Sequence, residues 1–432
     1  MCVHVPIFKG QRGLVPRFFC AWEFQGDSPE LPQLMRWRDA SDVKAKRDAR
    51  RRGANPIPIS PMANDLSAVI PQVLSQAVLL LRQNAIMPRL INTDYSNEVA
   101  EQGDTIDIPI PSAIQTRDVV PGPNNVAPNN EVKPKKTQLV LNNWKEAPFT
   151  MNDKEITSVM RGVAPRQLQE AVKAIANDVD GSILNCYKDV YGVAGTAGSI
   201  PFATSTVEAQ EAFRTLNIQL CPREDRRIVL DPFAEANAIG LPQFQNVDKS
   251  GSDETIRNAV IGRKLGFDWY QDQNITRHVA GTASGFVINQ ANHAVGDEQV
   301  TIAGGTGTFA VGDVFSVAGD TDQTYVVKSV VGTTLSYAPK AKAAWANNAA
   351  ITKKASHTVN LAFHRDAFGF ASRQMTDVFA GGSEIMSMAD PVSGIVLRLE
   401  VSRQHKQTQW SLDCLWGAKA VMPDLACRIL GQ

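Results

Sequence analysis

The sequence predicts an α+β fold, and three observations carry that expectation. Residues 66–81 and 168–190 each place apolar side chains along one helical face. Residues 205–275 alternate helix-like and strand-like segments. Residues 285–355 are rich in Gly, Val and Thr and read as a succession of short strands. With 432 residues the chain is long enough for a substantial core and for two or three domains.

The first 61 residues differ from the rest. They combine scattered prolines, two tryptophans and the basic run Lys44 to Arg52, with no sustained period. They hold 11 basic and 6 acidic residues, a net of +5 in a chain whose total is zero, so the remainder carries −5. A mildly acidic body is poorly suited to tight nucleic-acid binding, which relies on phosphate neutralisation. The expectation is that Met62 is the natural start and residues 1–61 are upstream sequence, with a removable leader or basic arm as the other reading.

From Asp65, a candidate N-cap, Leu66, Val69, Ile70, Val73, Leu74, Ala77, Val78 and Leu81 mark one helical face. Pro71 is a kink or the true start, and the helix should end before Pro88. Residues 103–150 read as a long two-stranded arm. Ile106, Ile108 and Ile110 alternate with Asp107 and Pro109, and Thr137 to Asn142 return. The prolines suit an edge strand. The connection runs through Pro121-Gly122-Pro123-Asn124-Asn125 and Lys133 to Lys136 and exceeds about 20 residues, unusual inside a compact domain. An isolated hairpin is marginal in water, so the arm needs support, and a neighbouring copy of the chain is the economical candidate.

Leu168, Val172, Ile175, Val179, Ile183, Tyr187 and Val190 define the clearest helix, expected over 165–191 as a rod of roughly 40 Å with Pro165 at N1. Ser205-x-x-Glu208 is a possible capping box for a helix to about Leu220. Arg227 to Leu230 reads as a buried strand, and Asp231-Pro232 as the cap of a short helix. Gly266 to Tyr270 begins a further strand. In the β block, Val300 to Ile302, Asp313 to Val317 and Tyr325 to Val331 are strands, parted by Gly304-Gly305, Gly319-Asp320 and Gly332. Thr358 to Phe363, Ile395 to Val401 and Ser411 to Leu415 follow as strands, with a turn or short helix at His364 to Phe368.

Chemistry-bearing patterns are missing from the sequence. The six histidines have no metal-ligand spacing. The six cysteines form no C-x-x-C pair and read as reduced, mostly buried thiols. Nucleophile-elbow and Walker patterns are absent. Gly305-Thr306-Gly307 opens no helix and reads as a strand turn. His364-Arg365-Asp366 lacks every other kinase element. Glu224-Asp225 and Asp253-Glu254 read as solvated loop charges. The longest apolar run near a terminus, Ala77 to Leu81, is too short to span a bilayer. No secretory h-region is visible.

Over residues 62–432 the chain resembles the major capsid proteins of tailed bacteriophages with the Hong Kong 97-like fold, the podovirus coat type with an inserted β-barrel. The resemblance rests on element order and on local stretches: Met62-Ala63-Asn64-Asp65, Val311 to Gly319, Tyr325 to Gly332, Leu412 to Gly417 and Met422 to Ile429. It implies an N-arm at 62–102, an E-loop at 103–150, a P-domain spine helix at 151–193, an A-domain at 194–280, an inserted β domain at 281–356 and a return to the A- and P-domains at 357–432. It further implies assembly without catalysis, cofactor or metal.

The implied partners are copies of the chain in hexamers and pentamers, a scaffolding protein, a portal and weakly held double-stranded DNA, with no membrane. The implied place is the virion capsid, with assembly in the host cytoplasm. Candidate inter-subunit residues on the E-loop are Arg117, Asp118, Lys133, Lys135 and Lys136. Some relatives crosslink through a Lys–Asn isopeptide, and no residue here is assignable to that chemistry. The competing expectations are a cell-surface or tail-associated binding protein that uses the β block for recognition, and a hydrolase with an accessory β domain.

Overall fold

The computed structural model describes residues 69–95, 105–110, 116, 135–152, 166–251, 253–375 and 383–432. The expectations for residues 1–61, the Asp65 cap and Pro165 at N1 lie outside the described residues.

Helix α1 spans Val69–Asn84. Pro71 sits in the first turn described, and the residues before Val69 lie outside the described ones. Strand β1 (Thr105–Ile110) pairs antiparallel with β2 (Lys135–Val140), as a sheet of two. Strand β3 (Asn143–Asn152) follows directly and was not anticipated as a separate element. Lys145, Glu146 and Pro148 hide its alternation, in which Ala147, Phe149 and Met151 face the core. It pairs with a single strand, so the Pro148 position lies on a sheet edge, where an absent donor is tolerated.

Helix α2 spans Arg166–Leu184, about 28 Å, and then tightens into a 3-10 turn over Asn185–Asp189 before Val190 becomes extended. The rod is therefore shorter than the expected 40 Å. Tyr187 and Val190 stay on the apolar side through the turn, so periodicity alone could not locate the end. All seven residues of the expected face are buried. They pack in one cluster with Leu74, Ala77 and Leu81 of α1 and with Met151 of β3.

An α/β lobe comes next: β4 (Gly192–Ala194), α3 (Val207–Ile218), β5 (Arg226–Leu230), α4 (Pro232–Gly240), short helical turns within 242–258, then β6 (Arg263–Lys264), β7 (Phe267–Gln271) and β8 (Arg277–His278). The capping box is not formed: Thr206 holds the N-cap position of α3, without a side-chain cap bond. The Asp231 cap is formed, its carboxylate accepting from Phe233 N at 3.2 Å.

The β block contains β9 (Val287–Ile288), β10 (Gln299–Ala303), β11 (Val314–Val317), β12 (Asp320–Val331), β13 (Thr334–Ala338) and β14 (Ile351–Lys353), in the order β14-β11-β12-β13-β10-β9. The outer strands meet. Ile351 N donates to Phe286 O, and Ile288 N to Ala349 O, both at 3.0 Å. The sheet thus closes on itself around Phe315, Tyr325, Tyr337 and Trp345. Asp320 begins β12 and is not part of a wide turn. Only Ala318 and Gly319 separate the paired residues Val317 and Asp320, and Gly319 takes the positive φ of +94° that so tight a hairpin requires.

The chain ends with β15 (His357–His364), a 3-10 turn at Arg365–Ala367, β16 (Phe368–Arg373), β17 (Ser383–Ala389), β18 (Val396–Gln404), β19 (Gln407–Ala420) and β20 (Ala426–Leu430). Strands β16, β17 and β20 were not anticipated. β15 lies between β20 and β5, antiparallel to both, in a sheet ordered β4-β20-β15-β5-β7-β6. β19 lies at the centre of the second sheet and pairs with β16, β18 and β3.

Trp345 stacks on His293 with ring centroids 4.1 Å apart and donates its indole N–H to Asp320 at 3.1 Å. Trp345→Ala should therefore lower stability by about 3–5 kcal/mol. The urea midpoint read by tyrosine and tryptophan signals checks this, and a loss below about 1 kcal/mol would show that the ring does not depend on its aromatic core.

Candidate assembly surfaces

The base of the arm is seated on its own chain. Ile106, Ile108, Leu139 and Leu141 are buried in one cluster with Ala371 and Val421. Lys419 Nζ donates to Gln138 O at 2.9 Å. Gly417 is where the return strand passes closest, because a Cβ there would collide with the Val140 carbonyl. The expectation that the arm as a whole lacks support on its own chain is corrected at this point: alternation drives the inward isoleucines into an intrachain pocket.

Of the five candidate contact residues, Arg117, Asp118 and Lys133 lie outside the described residues. Lys135 begins β2, opposite Ile110. Lys136 is exposed and reaches Asp107 of the same arm at 3.6 Å. A pair so exposed contributes little, of order 0–1 kcal/mol.

Beyond β2, one outward side chain is held in place. Trp144 is 65% exposed, yet its indole N–H donates to Asp413 at 3.1 Å. Asp413 is itself gripped by a two-toothed hydrogen bond from Arg398, with Nε at 2.9 Å and Nη2 at 2.5 Å. Glu146, one pleat further along the same face, accepts from Ser411 at 2.9 Å. A large aromatic surface fixed before any partner arrives loses little entropy on docking. No local pattern announces it, since the Asp413 contact comes from a strand 269 residues away.

The frame beneath is fixed by buried carboxylates. Asp180, near the C-terminal end of α2, accepts from the backbone N–H groups of Ile86 and Met87, each at 3.1 Å, and so anchors the turn after α1. Burial, with Asp272 nearby, pushes its carboxyl up to about 7. Asp390, between β17 and β18, accepts from Arg82 of α1 and from Ser393. The burial of Asp390 is outweighed by these bonds, which hold it below the usual carboxylate range.

Neither a protein-family model nor a curated protein matches the chain. The chain is similar to solved structures of phage particles. It shares 14% identity with a chain of Mycobacterium phage Che8, at a TM-score of 0.45, covering 80% of this chain and 90% of that one. It shares 13% with the capsid structure of the cyanophage P-SCSP1u, at 0.43, covering 76% and 84%. It shares 11% with the mature capsid of bacteriophage PhiM1, at 0.40, covering 77% and 83%.

Among the described residues, no group of three His, Cys, Asp or Glu side chains could hold a metal ion, and no helix is long and apolar enough to cross a membrane. Cys414 and Cys427 are buried free thiols, and burial pushes both up to about 12, which leaves them unreactive.

The raised carboxyl of Asp180 has a measurable signature. The folded state holds a proton that the unfolded chain releases near pH 4, so this stabilisation is present below pH 4 and is lost as pH rises to about 7. Asp180→Asn is neutral throughout. Its stability relative to the wild type should therefore improve with rising pH between 4 and 7 in thermal melts. A constant difference across that window would refute a protonated Asp180.

Proposed function

We propose that the chain is a major capsid protein of a tailed phage, which assembles into an icosahedral head enclosing double-stranded DNA. The observation that carries this reading is the arm. Its base is seated on the subunit, and residues 111–134 link two strands that form a sheet of their own. A long connection between two paired strands is useful where a second copy receives it. In a ring of identical copies each arm docks on the next body, and modest contacts sum around the closed ring.

The fixed Trp144, four residues after the exposed Val140 at the foot of the arm, offers an anchor for such a contact. The role is structural and not enzymatic. Hexamers and pentamers, a scaffolding protein and a portal are the partners of this reading. A mildly acidic body suits weak, non-specific contact with packaged DNA. The domain division at residues 102, 150, 193, 280 and 356, and a start near Met62, belong to the same proposal.

Deletion of residues 121–133 tests the arm in the full chain and in a chain starting at Met62. The variant should keep its circular dichroism and melting temperature while rapidly sedimenting assemblies disappear. Assembly yields equal to the parent would remove the arm from the inter-subunit role.

A further inference from the structure

The β block joins the rest of the subunit at one doorway. The chain leaves through β8 and returns through β15, with His278 paired to His357 and Ala280 N donating to Ser356 Oγ at 3.0 Å. Side chains from both sides of this doorway converge in a buried polar cluster. Tyr187, in the 3-10 turn after α2, donates its hydroxyl to Nδ1 of His278 at 3.1 Å. His278 in turn donates from Nε2 to Asp313 at 2.9 Å. The tautomer follows from the partners, because a carboxylate only accepts.

Asp313, in the β block just before β11, also accepts from the amides of Gly281 at 3.2 Å and Ala310 at 2.8 Å. Arg428 of β20 donates to Gly312 O at 2.8 Å and lies over the Tyr187 ring, 5.0 Å from its centroid. His278, Asp313 and Arg428 are all buried.

Further ties reach the same end of α2. Lys328 of β12 forms an ion pair with Asp189, and Thr324 Oγ1 donates to Tyr191 O at 2.6 Å. Gly312, at a φ of +93°, passes so close to Lys188 that an added Cβ would lie 3.1 Å from its Cγ. Gly281 is packed more closely still against the backbone of Thr308 to Ala310, where an added Cβ would collide with the Thr308 carbonyl oxygen.

The energetics make the arrangement specific. Burial alone would raise the Asp313 carboxyl, but the His278 bond and two amides hold it below the usual range. Burial pulls the Arg428 guanidinium down to about 10 and the His357 imidazole to about 4. Buried ionic groups are tolerated only while their partners stay in place, and removing one partner leaves the other uncompensated. Here the partners come from both the β block and the body, so the bonds of Tyr187, His278 and Asp313 form together in one relative placement.

We propose that the Tyr187–His278–Asp313 chain, backed by Arg428 over the Tyr187 ring, is a latch that fixes the β block on the end of α2, so that the two move as one body. The latch is a property of the single subunit and stands apart from the assembly reading.

Trypsin reads the latch directly, because Arg277, Lys353 and Lys354 flank the doorway. Asp313→Asn in the full chain should speed cleavage at these sites by about tenfold, while the near-ultraviolet signal of Trp345, Tyr325 and Tyr337 persists. Wild-type cleavage rates in a variant whose β block remains folded would overturn the latch. Tyr187→Phe keeps the ring under Arg428 and removes only the hydroxyl, and it should give a smaller acceleration at the same sites. Should Asp313→Asn lose the aromatic signal, an unchanged rate in Tyr187→Phe would overturn the latch equally.

Discussion

Burial of one face of helix Arg166–Leu184 organises this subunit. Leu168, Val172, Ile175, Val179 and Ile183 lie in one apolar cluster with α1 and with core residues of β3, β18 and β19. Each such side chain is worth about 1.5–3 kcal/mol when fully removed from water. A helix of 19 residues would be only marginally stable alone. Its stability comes from the elements packed on it, and their placement comes from the helix. The arm enters through β3, whose core-facing residues join the same cluster, and the β block is fixed to the turn that ends the helix.

Buried polar groups set direction where apolar contact sets only proximity. Asp180 holds the turn after α1 through two amides, and Asp390 holds the side chain of Arg82. Just past the same end of the helix as Asp180, Tyr187 reaches His278 and, through it, Asp313. Apolar surfaces tolerate sliding and repacking, whereas a buried carboxylate tolerates little displacement of its donors. The subunit therefore has a rigid axis with polar locks along it, a body that keeps its shape.

The two long helices were legible in the sequence because their apolar faces repeat at helical spacing over four or more turns. Strands β10, β11 and β12 of the β block were legible because turn glycines punctuate them, whereas β9, β13 and β14 were not picked out. Strands β16, β17 and β20 escaped notice. In Phe368–Arg373 and Ala426–Leu430 nearly every residue is buried, so alternation disappears, and short runs of that kind have no period to read. β3 was obscured by Pro148 and its charged neighbours.

The surfaces were harder to read than the fold. Lysines 133, 135 and 136 stood out as charges, but Lys136 pairs within its own arm. Trp144 and the His278–Asp313 cluster depend on partners far along the chain, which no local pattern announces.

Electron cryomicroscopy of the chain expressed from Met62 together with its scaffolding partner is the most direct test. Closed icosahedral shells are expected, in which density for the arm continues from β1 and β2 onto the body of an adjacent copy. Discrete monomers or dimers under every assembly condition, or shells in which each arm folds back on its own subunit, would contradict that expectation.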